Sequence, residues 1–242
     1  MYKIATLNKI SPKGLERFNS HYTIIDDREE ANGILVRSQD MHSMILSDSL
    51  LAISRAGAGV NNIPVDLCSQ KGIVVFNTPG ANANAVKELV LTGILMTARN
   101  VTNAIAWTKT IKEDVSITVE KNKSQFAGHE IKGKTLGVIG LGSIGVMVAN
   151  AAESLGMNVL GYDPYMSIAS AHELSSTIDI HESLDLVLPH CDYITIHVPY
   201  MENTDEMINE KRFEMMKDGV CLLNFSRDQI VSEQDVTKAI ES

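Results

Sequence analysis

The segment from Lys134 to Tyr165 is the part of the sequence that most narrows what the chain can fold into. Its apolar residues TLGVI run into three glycines, Gly140, Gly142 and Gly145. An alanine-rich helical segment follows, and a second apolar run, NVLGY, comes after it. This order of strand, glycine turn, helix and strand is typical of the first β-α-β unit of an open parallel sheet.

Each glycine of this turn has a separate physical use. Gly140 allows the tight turn, Gly142 lets the backbone approach a pyrophosphate, and Gly145 lets the helix pack close to the strand. The first amides of the helix can then bind phosphate oxygens. Asp163, which ends the second strand, can accept hydrogen bonds from both ribose hydroxyls and would repel the 2′-phosphate of NADP. The segment therefore predicts NAD as cofactor, and a purely structural glycine turn is the alternative.

The rest of the chain repeats the alternation of strand-like and helical segments. This rhythm predicts an α/β protein with parallel sheets. A long apolar-rich helix is expected at 83–101, an extended or looping connection at 109–134, and a domain boundary near residue 98. The predicted strands lie in YKIATL, HYTII, NGILVRS, LLAISRAG and GIVVFNTPG in the first 80 residues, and later in TLGVIG, MNVLGYD, YITIHVP and VCLLNFS.

Composition excludes several classes of protein and partner. With 44% hydrophobic and 21% charged residues the chain is an ordinary globular protein, and its net charge of −9 argues against nucleic acid as the main partner. No apolar run is long enough to span a membrane, and MYKIATLNKI has no signal-peptide pattern. Cys68, Cys191 and Cys221 form no CxxC pair, so neither disulfides nor a metal site is predicted and a reducing cytoplasm is expected.

Several segments in a fixed order resemble the D-isomer-specific 2-hydroxyacid dehydrogenases, above all those acting on 3-phosphoglycerate in serine biosynthesis. The resemblance implies an NAD-dependent oxidoreductase. It further implies a flavodoxin-like substrate domain at 1–98, a Rossmann-type doubly wound parallel sheet at 99–242 that is incomplete at its C-terminus, and an active site between them. A homodimer formed through a segment resembling 107–134 is also implied. The matching segments are 54–89, 132–145, 162–165, 191–204 and 224–227.

The substrate residues come partly from chemistry and partly from this resemblance. Arg227 follows the strand VCLLNF, at the strand end where open α/β sheets bind ligands, and its planar donors match a carboxylate. It matches the family's catalytic arginine, and a surface arginine is the alternative. The family's substrate loop matches RAGAGV, so the resemblance implies substrate contacts at Arg55, Gly57, Ala58, Gly59 and Val60.

The resemblance also adds cofactor contacts to the glycine turn. Thr78 matches a contact to the nicotinamide end, and Val198 lies at a position near the adenine side. Ser143 stands where many members carry arginine, so a charged phosphate contact is missing from this chain. The full set implied for the cofactor is Thr78, Gly140, Gly142, Ser143, Ile144, Gly145, Asp163, Val198, Pro199, Phe225, Ser226 and Arg227.

The family's catalytic histidine and its orienting carboxylate lie beyond the arginine, and the sequence given stops before them. After Arg227 it has DQIVSEQDVTKAIES, which predicts one helix with Ser232 as N-cap, and none of its seven histidines matches the base. An expressed fragment or clipped protein, a frameshifted gene product and a degenerate member that only binds are the explanations, of which the fragment is favoured. Without the base, the polypeptide is expected to turn over very poorly or not at all. An NADH-binding sensor and a dehydrogenase for glyoxylate, hydroxypyruvate or D-lactate are the alternative functions.

Overall fold

A computed structural model describes residues 1–241 of the chain. The chain folds into two compact units, Met1–Asn82 and a second unit that starts at Ala83. Each unit is built on one five-stranded parallel sheet of described residues. This confirms the predicted α/β class.

The first unit has the strand order β2-β1-β3-β4-β5, which is the flavodoxin-like order. All neighbouring strands are parallel, and Val36 of β3 lies opposite Arg55 of β4. Its core contains the fully buried Ala5, Val36 and Ile53. The elements are β1 Tyr2–Leu7, α1 Pro12–Leu15, β2 Tyr22–Ile25, β3 Gly33–Val36, β4 Ala52–Arg55, α2 Val65–Gln70 and β5 Val74–Phe76.

The second unit has the strand order β10-β9-β6-β7-β8. Read from its own first strand, this is the doubly wound order 3-2-1-4-5 of the Rossmann fold, so that prediction is confirmed. Strands β6 and β9 are almost entirely buried, as expected for parallel strands covered on both faces. The elements are α3 Ala83–Ala98, α4 Val101–Thr108, α5 Val115–Asn122, β6 Thr135–Ile139, α6 Ser143–Ser154, β7 Asn158–Tyr162, α7 Ile168–Glu173, β8 Asp179–His181, α8 Leu184–Val187, β9 Tyr193–Ile196, α9 Glu210–Phe213, β10 Cys221–Asn224 and α10 Glu233–Glu241.

Helix α3 belongs to the second unit. Its buried residues Val90, Ile94 and Ala98 join the same core cluster as residues of α6. The boundary between the units therefore lies before α3, whereas the sequence analysis placed a domain boundary near residue 98. The predicted helix at 83–101 exists but ends at Ala98, and Asn100 has a φ of 52° before α4 begins.

The expectation of an extended or looping connection at 109–134 is wrong over part of its length. Residues Val115–Asn122 form α5, and a 3-10 turn follows at Lys123–Phe126. The rings of Trp107 and Phe126 pack against each other at a tilt of 41° with centroids 5.0 Å apart, so that α4 contacts this turn. The residues ITV within α5 are β-branched and α5 buries none of its residues, so the sequence carries no apolar stripe that would predict a helix.

Two further observations concern membranes and thiols. Among the described residues no single helix is long and apolar enough to cross a bilayer. Helices α3 and α4 reach that length and composition only as a pair, and they are bent by 67° at the break between them. All three cysteines are free thiols; Cys68 and Cys191 are buried and Cys221 is partly buried.

Candidate functional site

The glycine turn follows β6 at the carboxyl end of the second sheet. Gly140 has a φ of +93°, and a methyl group there would fall 2.8 Å from the carbonyl carbon of His197. A methyl group at Gly145 would fall 1.8 Å from the carbonyl oxygen of Gly140, so α6 packs directly on the turn. A methyl group at Gly142 would meet no atom within 4 Å. The middle glycine is therefore required neither by backbone conformation nor by packing.

Helix α6 begins beside this open space. Gly142 is its N-cap, and the first helical bond joins the Val146 amide to the Gly142 carbonyl at 3.0 Å. The amides of Ser143, Ile144 and Gly145 precede that bond, so they have no acceptor within the helix. Such amides, with the positive end of the helix dipole, favour an anion at this point. The space at Gly142 and the adjacent helix N-terminus together fit the pyrophosphate of a dinucleotide.

Asp163 follows β7 and is held against the same turn. Its Oδ2 accepts a hydrogen bond from the Leu141 amide at 2.8 Å, and its Oδ1 accepts one from the Tyr165 amide at 2.8 Å. These two bonds fix the carboxylate while leaving each oxygen a further lone pair for a hydroxyl donor. The arrangement fits the ribose contact predicted for Asp163.

The segment after β9 forms the other wall of the turn. The His197 amide donates to Ile139 at 2.7 Å, and a methyl group at Gly140 would meet the Val198 side chain at 2.9 Å. The His197 ring bonds the Thr195 hydroxyl at 2.9 Å, and burial lowers the pKa of His197 to about 4. The imidazole is therefore neutral at neutral pH, and its bond to Thr195 gives it a structural role at the end of β9. The carbonyl of Pro199 accepts from the Thr204 hydroxyl at 2.8 Å.

Arg227 lies on the turn that follows β10, on the same edge of the sheet. The Ser226 hydroxyl on this turn donates to the Val198 carbonyl, which connects the turn to the wall beside Gly140. Arg227 is exposed, and its Nη1 donates to the Ser226 carbonyl at 3.1 Å. Within residues 1–241 no carboxylate pairs with it. Phe225 points toward α3, where a methyl group at Gly93 would meet its ring at 3.8 Å.

The predicted substrate loop of the first unit is braced by the end of β5. Thr78 accepts the Gly57 amide at 2.8 Å and donates to the Arg55 carbonyl at 3.0 Å. The Asn77 carboxamide donates to the Ala58 carbonyl at 2.7 Å. The hydroxyl proton of Thr78 and the amide of Gly57 are thus used within the loop. Their predicted contacts with a ligand remain predictions.

Arg55 also takes part in holding this loop. Its Nε donates to the Arg37 carbonyl at 3.0 Å, and its Nη1 donates to the Gly59 carbonyl. The carbonyl of Val60 accepts the Ile63 amide at 2.9 Å and closes the next turn. The guanidinium therefore has a structural task besides the ligand contact predicted for it.

Arg37 and Asn77, which both bond the residues of the Arg55 loop, were not singled out as binding residues from the sequence. Arg37 directly follows β3, and β3 and β4 are parallel neighbours, so Arg37 and Arg55 lie at the same sheet edge. The signal was present in the sequence, because both arginines end apolar runs. Asn77 gave no such signal, since its partner is known only once the loop is folded. Among residues 1–241 no group of three or more histidine, cysteine or acidic side chains is placed to hold a metal ion.

Comparison with known proteins agrees with this geometry. The family profile described as "D-isomer specific 2-hydroxyacid dehydrogenase, NAD binding domain" matches residues 91–242. The chain is 36% identical over 226 residues to a D-3-phosphoglycerate dehydrogenase of Archaeoglobus fulgidus, covering 92% of this chain and 41% of that protein. It is 35% identical over 242 residues to a D-3-phosphoglycerate dehydrogenase of Synechocystis, covering 99% and 42% respectively.

A solved structure supports the fold. The NAD⁺-bound 3-phosphoglycerate dehydrogenase of Entamoeba histolytica matches with a TM-score of 0.76 at 24% identity, over 99% of this chain and 76% of that one. The chain spans about two fifths of the length of the curated relatives that it matches.

Proposed function

Since the chain belongs to the family of D-isomer specific 2-hydroxyacid dehydrogenases and carries its NAD-binding domain, we propose that it serves the NAD-dependent interconversion of 3-phosphoglycerate and 3-phosphohydroxypyruvate. That reaction would place the protein in serine biosynthesis. The observation that carries the proposal is one sheet edge of the second unit. There the glycine turn, Asp163 and Arg227, which pairs with no carboxylate of residues 1–241, follow strands β6, β7 and β10.

The residues of that edge have distinct tasks in this proposal. The amides of Ser143 and Ile144 bind the pyrophosphate, and Asp163 accepts hydrogen bonds from ribose hydroxyls. Arg227 binds the substrate carboxylate through two parallel N–H donors and keeps its charge at every physiological pH. Bound NAD⁺ would supply the hydride acceptor: oxidation would transfer the hydride from C2 of the hydroxy acid to the nicotinamide, giving NADH, and release the hydroxyl proton.

The substrate class rests on the first unit. Arg37 follows β3, Arg55 ends the neighbouring parallel strand β4, and the loop after Arg55 is rich in glycine. Two arginines at the carboxyl end of a parallel sheet favour an anionic ligand, and a phosphate matches the guanidinium fork. The relatives named D-3-phosphoglycerate dehydrogenase support a phosphorylated acid.

Replacing Arg55 tests the phosphate assignment. We expect Arg55→Ala to weaken binding of 3-phosphohydroxypyruvate at least about tenfold more than binding of hydroxypyruvate, because only the first ligand loses a charge-assisted pair. Isothermal titration into protein saturated with NAD⁺ measures both affinities and requires no turnover. The comparison of two ligands separates the phosphate contact from the loosening of the loop, which affects both.

Arg17→Ala, at an exposed arginine of the same unit, is the matched control and should change neither affinity. An equal loss for both ligands in Arg55→Ala would contradict the phosphate assignment and favour an unphosphorylated hydroxy acid. Absence of binding of either acid to the wild-type protein would contradict the proposed function.

A homodimer through 107–134 and its neighbouring helix is part of the proposal. Helices α4 and α5 bury no residue, and Val101, Ile105, Val115 and Ile117 remain 37–56% exposed. Apolar side chains grouped in this way support a protein interface. Light scattering should give twice the chain mass of 26.5 kDa, and Ile105→Asp should reduce it to one chain, whereas Ile240→Asp on α10 should not. A monomeric wild-type protein would contradict this assignment.

The free thiols support a reducing cytoplasm as the location of the protein.

A further inference from the structure

The turn that carries Arg227 is closed by the side chain of one residue, Asn224. This asparagine is the last residue of β10 and pairs with Ile196 of β9. Its Oδ1 accepts the Ser226 amide at 3.0 Å, and its Nδ2 donates to the Arg227 carbonyl at 2.8 Å. One carboxamide thus bonds both the middle and the end of the turn.

The two bonds define the orientation of the carboxamide. Turning the group over would set its NH₂ against the Ser226 amide and its oxygen against the Arg227 carbonyl, which replaces two attractions by two repulsions. A neutral carboxamide is the group of this size that offers a donor and an acceptor together. An ionised aspartate would accept the Ser226 amide but could not donate to the Arg227 carbonyl.

The closed turn is attached on both sides. The Ser226 hydroxyl donates to the Val198 carbonyl, and Val198 lies against Gly140 of the glycine turn. The Arg227 carbonyl also accepts the Ile230 amide at 3.3 Å, where the next turn begins. Hydrogen bonds within residues 224–230 therefore fix the backbone of Arg227. The bond from Ser226 to Val198 fixes that backbone relative to the glycine turn.

We propose that Asn224 is a positioning residue, whose carboxamide clamps the turn so that the Arg227 guanidinium is held ready for an acid carboxylate. This inference rests on the proposed role of Arg227 in substrate binding. An exposed arginine side chain gains affinity when its base is fixed, because less freedom is then lost on binding. Asn224 bonds only the protein and acts through Arg227.

A double-mutant cycle tests the proposal. Isothermal titration of 3-phosphohydroxypyruvate into protein saturated with NAD⁺ would be made on the wild type, Asn224→Ala, Arg227→Ala and the double variant. We expect Asn224→Ala to weaken the acid about tenfold in the wild-type background and to have no further effect when Arg227 is absent. In Asn224→Ala the dissociation constant of NADH should stay within about twofold of the wild-type value, because Asn224 is not among the residues assigned to the cofactor. Equal losses in both backgrounds would show a merely structural role and overturn the proposal.

Amide exchange of Ser226, followed by NMR, gives a readout that needs no acid. We expect slow exchange in the wild type, fast exchange in Asn224→Ala, and near wild-type exchange with weakened acid binding in Asn224→Asp, which keeps only the acceptor. Unchanged exchange in Asn224→Ala would overturn the clamp even if that variant bound the acid weakly. If the wild type binds no acid while the exchange pattern holds, the proposed function fails and the clamp of the turn stands.

Discussion

The Gly142→Ala variant is expected to fold as stably as the wild-type protein and to lose at least about a hundredfold of its affinity for NADH. A methyl group at Gly142 meets no atom of the protein within 4 Å, and the residue has a φ of −75° that alanine adopts without strain. The space that the methyl group takes is the one in front of the first amides of α6. Losing two charge-assisted bonds to the pyrophosphate costs about 3–6 kcal/mol, which is a hundredfold or more.

Fluorescence titration with NADH measures the affinity of Gly142→Ala for the cofactor, and thermal unfolding measures its stability. Gly14→Ala is the matched control, because a methyl group there also meets no atom within 4 Å and Gly14 lies in the first unit. Gly145→Ala is the opposite case, since its methyl group would collide with the Gly140 carbonyl and should lower stability as well as binding. Full NADH affinity in Gly142→Ala would contradict binding at the glycine turn.

Replacing Arg227 should weaken binding of the substrate acid about as much as Gly142→Ala weakens binding of NADH. We expect Arg227→Gln to weaken binding of 3-phosphohydroxypyruvate at least about a hundredfold, because truncating one partner of a desolvated ion pair typically costs about 2–5 kcal/mol. Any loss of NADH affinity should be much smaller, since the glycine turn and Asp163 remain. The affinity of Arg227→Lys for this acid should lie between those of the wild type and Arg227→Gln, since lysine keeps the charge but lacks the planar pair of donors.

The measurement is titration of the acid into protein saturated with NAD⁺, with Arg99→Gln, at another exposed arginine of the same unit, as control. A variant at Arg227 that binds the acid as the wild type does would remove Arg227 from the substrate site. It would also remove the basis for a positioning role of Asn224.

The parts of the fold that the sequence predicted are those coded locally. Buried parallel strands are short apolar runs, and every strand expected from such a run is present. The glycine turn was predictable because its three glycines, its helix and Asp163 follow one another within 24 residues and each meets a separate steric or hydrogen-bonding need. Strand β8 was not expected, since Asp179–His181 contains a single apolar residue.

The parts that the sequence did not predict depend on contacts between distant residues. Helix α5 has no apolar stripe, and α3 joins the second unit through packing on α6 that no local pattern reveals. The loop of Arg55 was predicted as a set of ligand donors, but the structure shows that Asn77 and Thr78, about twenty residues later, use several of its groups. The clamp of Asn224 depends likewise on how the turn after β10 folds.

The remaining assignments depend on one claim: a dinucleotide binds at the N-terminus of α6, and Asp163 accepts hydrogen bonds from its ribose. Parallel fluorescence titrations of the folded wild-type protein with NADH and NADPH test it most directly. We expect saturable binding of one NADH per chain and much weaker binding of NADPH, because the Asp163 carboxylate repels a 2′-phosphate. Folded protein that binds no NADH, or binds both cofactors equally well, would contradict it.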